Sequence, residues 1–135
     1  MKKTFLLVFF ALMAISAFAD DLLLFRATSF CYKEKNSRGQ WGDWSKWQDS
    51  DVKITMDMTT DVVTVYSPTK QVYQITEYLG DSTDSDGDTT IKFRFIDQDG
   101  DRGTMRLMQR KADSRSEIYI DFNNVTWVYE VRRID

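Results

Sequence analysis

The sequence predicts an all-β protein, namely one antiparallel up-and-down barrel of eight strands, with a β-sandwich as the alternative. Three observations lead to this prediction. Short runs alternate apolar with polar residues, and they are rich in β-branched and aromatic side chains. Turn signals separate the runs at short intervals, so each strand should pair with its predecessor. Strands with one apolar face each must then close into a barrel or pack as two sheets.

The N-terminal half supplies four of the predicted strands. Residues 22–32 form an apolar run with Phe and Tyr, and residues 52–58 alternate cleanly. Residues 62–67 follow a Thr-Thr-Asp turn. The run 71–79 also has a helical alternative, because Pro68 could occupy the first turn of a helix. The density of Val, Ile, Thr and Tyr in this run favours a strand.

The C-terminal half supplies the other four strands. Residues 89–97 and 103–110 flank an Asp-Gly pair, which is typical of a hairpin turn. Residues 116–122 and 125–133 flank an Asn-Asn turn. Hairpin links of this kind favour up-and-down closure, which leaves no exposed sheet edge. The expected architecture is a lipocalin-like or streptavidin-like barrel.

Alternation also predicts which side chains face the barrel interior. Eight strands enclose a space only slightly larger than their own inward side chains. A filled core is therefore expected over an empty cavity. The predicted inward residues include no acidic or basic side chain, and they are Phe25, Ile54, Met56, Met58, Phe93, Phe95, Met105, Leu107, Ile118, Phe122, Trp127 and Tyr129.

The N-terminus has the features of a secretory signal peptide. Lys2 and Lys3 precede an apolar stretch over residues 4–15, and Ala17-Phe18-Ala19 offers a small-x-small cleavage pattern. We expect residues 1–19 to be removed and residues 20–135 to form a single soluble domain. The protein should then be exported to the periplasm or beyond the cell, with no membrane anchor.

The composition excludes several classes of chemistry. The chain has no histidine, which removes Ser-His-Asp and Cys-His nucleophilic sites and imidazole-based zinc sites. Without Lys2 and Lys3 there remain 16 basic and 21 acidic residues and a net charge of −5, which gives no general attraction to nucleic acid. The single cysteine, Cys31, cannot form an internal disulfide, and burial in a strand is expected. No cofactor is expected.

Three of the four tryptophans recur at a spacing of three, as Trp41, Trp44 and Trp47. This W-x-x-W-x-x-W segment resembles that of thrombospondin type 1 repeats, in which tryptophans layer with arginines. Those repeats need several disulfides, so the resemblance is local and does not extend to the fold. It implies stacking of the indole rings with cations such as Arg38 or Lys46.

Two interpretations of this tryptophan segment compete. The rings could cover an open end of the barrel as a buried lid, which we favour because aromatic side chains are strongly stabilised by burial. Alternatively, the segment could be an exposed contact surface for a ligand or partner, since tryptophans in loops are common binding anchors.

Two acidic segments repeat the pattern D-x-D-G-D, at residues 84–88 and 97–101. Neither segment has the glycine and glutamate positions of an EF-hand loop. Solvated Asp-Gly turns are therefore expected. A weak calcium site is the alternative, formed by Asp84, Asp86 and Asp88.

The chain also resembles small exported, uncharacterised lipocalin-like proteins of Bacteroidetes-type bacteria. The resemblance rests on the MKK start, the W-x-x-W segment, "VYSPTKQVYQITEYLGD", "FIDQDGDRG" and "IYIDFNNVTWVYEV". It covers most of the chain after the signal peptide. It supports the barrel and implies no activity.

The sequence therefore predicts an exported, non-enzymatic binding or interaction protein. The ligand, a small apolar molecule, a glycan or a protein, would contact the tryptophan segment or the barrel mouth. The first alternative is a secreted inhibitor or protein-partner module that acts through its loops. A carboxylate-dependent hydrolase is a remote alternative, because no acid pair is recognisable.

Overall fold

The chain folds as a closed barrel in which eight antiparallel strands follow one another in sequence order, as predicted. The computed structural model describes residues 22–112 and 115–134, so the predicted signal peptide lies outside the described residues. The strands are β1 (Leu22–Glu34), β2 (Gln48–Asp57), β3 (Val62–Val65), β4 (Gln71–Thr83), β5 (Thr89–Asp97), β6 (Arg102–Gln109), β7 (Ser116–Asp121) and β8 (Val125–Arg133). No helix in the described ranges is long and apolar enough to cross a membrane.

The barrel closes between β1 and β8, which excludes the sandwich alternative. Phe30 pairs with Tyr129 and Tyr32 with Trp127 along this seam. A bulge between Ala27 and Ser29 shifts the register on both sides of β1. Because of this shift the inward positions change from odd to even numbers along the strand.

Three strands are longer than the sequence predicted. β1 continues to Glu34, β2 begins at Gln48, and β4 runs through Gly80 to Thr83 into the segment expected to be an acidic loop. In each case a neighbouring strand supplies the hydrogen-bonding partners, as where Thr83 pairs with Thr89. The helical alternative for 71–79 is wrong, because β4 pairs with both β3 and β5.

Three hairpin turns share one geometry, at residues 36–40, 84–88 and 97–101. In each turn the first side chain, Asn or Asp, accepts the backbone N–H groups of the third and fifth residues at 2.8–3.0 Å. The fourth residue is glycine with φ between 76° and 87°, which other residues rarely adopt. Both D-x-D-G-D segments are therefore turns, as predicted.

The barrel interior is filled with side chains. Phe25, Met105 and Ile118 are fully buried at its centre, and every predicted inward residue belongs to the core cluster or packs against it. One apolar cavity, near Met58 and Tyr78, has a free volume of about 30 Å³. Such a space accommodates no more than about one or two water molecules. The expectation of a filled core is confirmed.

Cys31 is buried and free, as predicted. It pairs with Val128 across the β1–β8 seam, on the opposite side of β1 from the inward Phe30. Burial, with a smaller contribution from the nearby Glu117 carboxylate, raises the pKa of its thiol above the usual range. The thiol is therefore kept in its less reactive protonated form.

Candidate functional site

One end of the barrel forms a depression, at the end where β1 finishes and β8 begins. Its volume is about 260 Å³. We call it the mouth pocket, and its lining residues are Gln71, Val72, Tyr73, Asp97, Gln98, Asp99, Phe122 and Trp127. They come from the start of β4, the end of β5, the β5–β6 turn and the β7–β8 hairpin.

Aromatic side chains form the inner wall of the mouth pocket. The Tyr73 and Phe122 rings each meet the core residue Phe95 edge to face, with centroid distances of 4.9 and 5.3 Å. On the other side the Trp127 ring lies 4.9 Å from Tyr32 and 5.9 Å from Phe30. Tyr73 and Trp127 lie near the starts of β4 and β8, and Phe122 directly follows β7, so these three rings lie where the core meets the pocket.

Two glutamine amides in the pocket hold the start of β4 in place. The Gln98 Oε1 atom accepts the Val72 N–H at 2.9 Å, and its Nε2 donates to the Lys70 carbonyl at 3.2 Å. Gln71 accepts the Tyr73 hydroxyl and donates to Ser67 Oγ at 3.1 Å. Both amides are therefore engaged within the protein.

The tyrosine hydroxyls beneath the pocket are held in their neutral form. Burial raises the pKa of Tyr73 well above its ordinary value of 10.0, and the nearby Tyr129 and Asp97 raise it further. Burial also raises the pKa of Tyr129, while a hydrogen bond with Gln71 acts in the opposite direction. At neutral pH both groups are hydrogen-bonding hydroxyls without charge.

Two carboxylates lie at the rim of the mouth pocket. Asp97 uses Oδ1 to accept the Asp99 and Asp101 N–H groups at 2.9 and 2.8 Å, and Asp99 is exposed. The ion pairs in the described part of the chain involve other residues, namely Arg26–Asp51, Arg94–Glu77, Arg106–Asp121, Arg110–Glu117 and Arg115–Glu130. Within residues 22–112 and 115–134, therefore, no cation offsets the negative charge of the rim by direct contact.

The tryptophan segment returns along the edge of β1 after the 36–40 turn. We call residues 41–47 the Trp arm. Trp41 forms a bridge with Lys35, and the Ser45 N–H donates to the Tyr32 carbonyl at 2.7 Å. The first β1–β2 pair joins Phe30 to Gln48. Phe30 is five residues from Lys35, whereas Gln48 is seven residues from Trp41. The two extra residues make the arm an irregular extension of β2.

The three indole rings of the Trp arm are exposed. Trp41, Trp44 and Trp47 keep 43, 45 and 52% of their surface accessible. The lid interpretation, which requires buried rings, is therefore wrong. The physical reason is that the arm pairs with β1 along the barrel wall, so its side chains do not cross the open end.

The cations that contact these rings are Lys33 on β1 and Lys35, which directly follows β1. The Lys33 Nζ atom lies 5.2 Å from the Trp41 ring centre and 4.7 Å from that of Trp44, and Lys35 Nζ lies 5.2 Å from Trp41. The sequence instead predicted Arg38 and Lys46 as partners. That prediction is corrected because the hairpin brings the arm back beside β1.

The positions of Arg38 and Lys46 explain the difference. Arg38 lies in the exposed turn, where its backbone N–H donates to Asn36 Oδ1. Lys46 is exposed on the arm itself. The structure therefore brings Trp41 and Trp44 together with Lys33, and brings neither of the two predicted cations to a ring within the described contacts.

Tyr32 connects the Trp arm to the mouth pocket. Its ring packs on Trp127 at 4.9 Å, while its backbone N–H and carbonyl both bond to Ser45. All four tryptophans of the sequence thus lie around the C-terminal part of β1. The sequence could not reveal this grouping, because Trp127 is distant along the chain and joins the others only through strand pairing.

The candidate calcium ligands lie in the 84–88 turn, away from the mouth pocket. The carboxylates of Asp84, Asp86 and Asp88 approach within 4.8 Å of one another. Asp84 Oδ1 is occupied by two backbone N–H groups, and Asp88 Oδ1 accepts the Lys111 N–H at 3.0 Å. The turn geometry accounts for the clustering, and weak calcium binding stays a prediction.

Sequence reasoning missed the mouth pocket. Phe122 and Trp127 were predicted to face inward, but Tyr73 was not, and Gln71, Asp97 and Gln98 were not identified as neighbours. The sequence contains a signal for one part of the pocket, because the Asx-x-x-Gly-x pattern at 97–101 indicates the turn that carries Asp99. The contact of Gln98 with Val72 joins residues 26 positions apart and depends on strand register.

Comparison with known proteins adds no relative to this description. No protein-family model matches the chain, and no curated protein or solved structure matches it significantly. We therefore infer the function from the geometry of the mouth pocket and the Trp arm.

Proposed function

We propose that the chain after its signal peptide is an exported, non-enzymatic binding protein of the periplasm or extracellular space. It contacts its ligand or partner through the mouth pocket and the adjoining Trp arm. The candidate classes remain a small apolar molecule, a glycan or a protein. The resemblance to exported lipocalin-like proteins agrees with this proposal.

The proposal rests on the contrast between the filled barrel interior and the exposed aromatic side chains at the mouth. The interior cavity of about 30 Å³ is too small for an organic ligand, whereas the mouth pocket provides about 260 Å³. Exposed large apolar side chains mark contact surfaces when they are grouped. Trp41, Trp44 and Trp47 form such a group beside the pocket.

The chemistry at the mouth supports binding over catalysis. The chain contains no imidazole group, and Asp97 already uses one oxygen to hold the 97–101 turn. A carboxylate-dependent hydrolase would need two acidic groups placed on either side of a substrate bond. The remote hydrolase alternative therefore gains no support from the geometry of the pocket.

A protein partner is favoured by a separate observation at the Trp arm. Grouped exposed tryptophans are typical anchors of protein–protein interfaces. Here Lys33 contacts two of the indole rings. The inhibitor or protein-partner alternative therefore places its contact on the arm, with the mouth pocket at one side.

The test is a binding panel measured by tryptophan fluorescence on the chain from residue 20 onward. The panel contains oligosaccharides, a long-chain fatty acid, small amines and model peptides. We expect at least one class to shift the emission, and the triple variant W41A/W44A/W47A or W127F to weaken that response. Leu79→Ala, an exposed apolar residue elsewhere on β4, is the control. A response that depends on neither surface would overturn the proposal.

A further inference from the structure

We propose that the mouth pocket binds an organic cation, specifically a primary ammonium or guanidinium group carried on an apolar stem. This inference rests on the proposed function, because it assumes that the mouth is a contact surface. It goes further by assigning the chemical class of the group that enters the pocket. Three properties of the pocket carry it.

The first property is the charge of the lining. Asp97 and Asp99 both line the pocket, and its lining includes no lysine or arginine. Lys70, which directly precedes β4, places its Nζ atom 5.7 Å from the centre of the Tyr66 ring. A ligand cation therefore meets two carboxylates without competition from a lining cation.

The second property is the hydrogen-bonding capacity of the pocket lining that is not used within the protein. The Gln98 and Gln71 amides already bond to backbone and side-chain groups of the β3–β4 segment. No hydrogen bond within the described ranges uses Asp97 Oδ2 or the Asp99 carboxylate. The oxygens left at the rim are therefore acceptors, and they fit a ligand that donates.

The third property is the aromatic wall. Trp127 and Phe122 are only partly buried and, with Tyr73, present ring surface to the pocket. The face of an aromatic ring attracts a cation and also packs against an aliphatic stem. The volume of about 260 Å³ lies below the range of about 300–1,000 Å³ that is typical of drug-sized ligands. A compact terminal group fits this space.

The same chemistry has two sources. A free small amine carries such a group, and so does a lysine or arginine side chain on an extended peptide. In the second case the peptide backbone would pass over the rim towards the Trp arm, since Tyr32 contacts both Trp127 and Ser45. The Trp arm should then respond only to the peptide.

The test uses the chain from residue 20 onward and n-butylammonium as the probe, with n-butanol as its neutral counterpart. Binding is followed by the shift of the Trp127 indole N–H signal in NMR spectra. We expect butylammonium to shift this signal and butanol to leave it nearly unchanged. The double variant D97N/D99N should bind about tenfold more weakly or worse, because asparagine keeps an acceptor but removes the negative charge that strengthens a hydrogen bond to a cation.

The 84–88 turn has the same geometry as the 97–101 turn and provides a matched control. Asp86 occupies the same position in the 84–88 turn that Asp99 occupies in 97–101, with the same backbone hydrogen bond. Asp86→Asn should leave butylammonium binding unchanged. Asn36 accepts the corresponding N–H groups in its own turn, so Asp97→Asn should preserve the fold, which a far-UV circular dichroism spectrum checks.

The remaining outcomes separate this inference from the proposed function. The peptide source is supported if a lysine-containing tripeptide shifts the Trp127 and Trp44 signals while butylammonium shifts only that of Trp127. The free amine is supported if both probes shift the Trp127 signal alone. Equal binding of butanol, or binding unaffected by D97N/D99N, overturns the cation inference. If a neutral oligosaccharide still binds at Trp127 in that case, the proposed function survives. If no panel member shifts any indole signal, both fail.

Discussion

Tyr73 shows how one side chain belongs to the core and to the mouth pocket at once. Its ring packs edge to face on Phe95, and its hydroxyl donates to Gln71 at the pocket. A buried phenol without a partner would be costly, so Gln71 accounts for a tyrosine at this inward position. Tyr73 was not among the predicted inward residues, and its polar partner could not be predicted without the register.

The raised tyrosine pKa values predict that alkaline pH destabilises the fold. Because the native pKa of Tyr73 exceeds its unfolded value of 10.0, the unfolded chain loses this proton first as the pH rises. Stability is therefore complete below pH 10 and falls above it, by about 1.4 kcal/mol per pH unit for each such group. Urea unfolding at pH 8, 10 and 11 measures this slope. Tyr73→Phe should reduce it, and an unchanged slope would contradict the assignment.

The exposure of the Trp arm predicts a modest effect on stability. W41A/W44A/W47A should lower the free energy of unfolding by about 1.5–3 kcal/mol, because each of the three exposed cation–π contacts contributes about 0.5–1 kcal/mol. Phe95→Ala, at a fully buried ring, should cost about 3–5 kcal/mol. Urea unfolding followed by circular dichroism compares the two. Equal losses would restore the lid interpretation.

At the scale of elements, the three Asx-x-x-Gly-x turns carry much of the local information. The turns at 84–88 and 97–101 were predicted from the sequence as Asp-Gly turns, whereas the turn at 36–40 was not predicted. The return of the Trp arm along β1 was not predicted, although the same pattern stands at 36–40. The reason is that the arm lacks strand-like alternation, and it pairs only because β1 offers an edge.

The turn geometry predicts different outcomes for two substitutions at one position. Asp97→Ala removes the acceptor of two backbone N–H groups and should cost about 1–2 kcal/mol. Asp97→Asn should cost little, since Asn36 forms the same bonds in its own turn. Thermal unfolding of both variants is the measurement. An asparagine variant as unstable as the alanine variant would contradict the shared geometry.

At Gly103, β6 has no room for a side chain. A Cβ atom there would lie 2.5 Å from the Asp121 carbonyl oxygen and 2.6 Å from Phe95 Cζ. Gly103→Ala should therefore destabilise the protein by about 1–3 kcal/mol or more, through displacement of the Phe95 ring. Gly42→Ala, with one contact at 3.3 Å, is the milder control. Urea unfolding ranks them, and equal costs would contradict this explanation.

At the scale of the whole molecule, alternation and short turns sufficed to predict the closed barrel and its filled interior. Every inward prediction relied on the period of two along a strand, and pairing then brought those faces together. The mouth pocket was beyond the same reasoning, because it joins β4, the β5–β6 turn and β8 at one end. Proximity of that kind depends on strand register and stagger, which a pattern along one strand does not contain.

We propose that this barrel binds its ligand or partner at the mouth pocket and the Trp arm and excludes ligands from its interior. The four indole N–H groups report on that surface, since Trp41, Trp44 and Trp47 lie on the arm and Trp127 in the mouth pocket. Methyl signals of Met105 and Ile118 report on the fully buried core.

An NMR titration of the isotope-labelled chain from residue 20 onward, with the binding panel, observes both sets of signals in one experiment. We expect a bound ligand to shift indole signals, Trp127 among them, and to leave the Met105 and Ile118 methyl signals in place. Shifts of those core methyl signals with unchanged indole signals would show entry into the barrel and contradict the account.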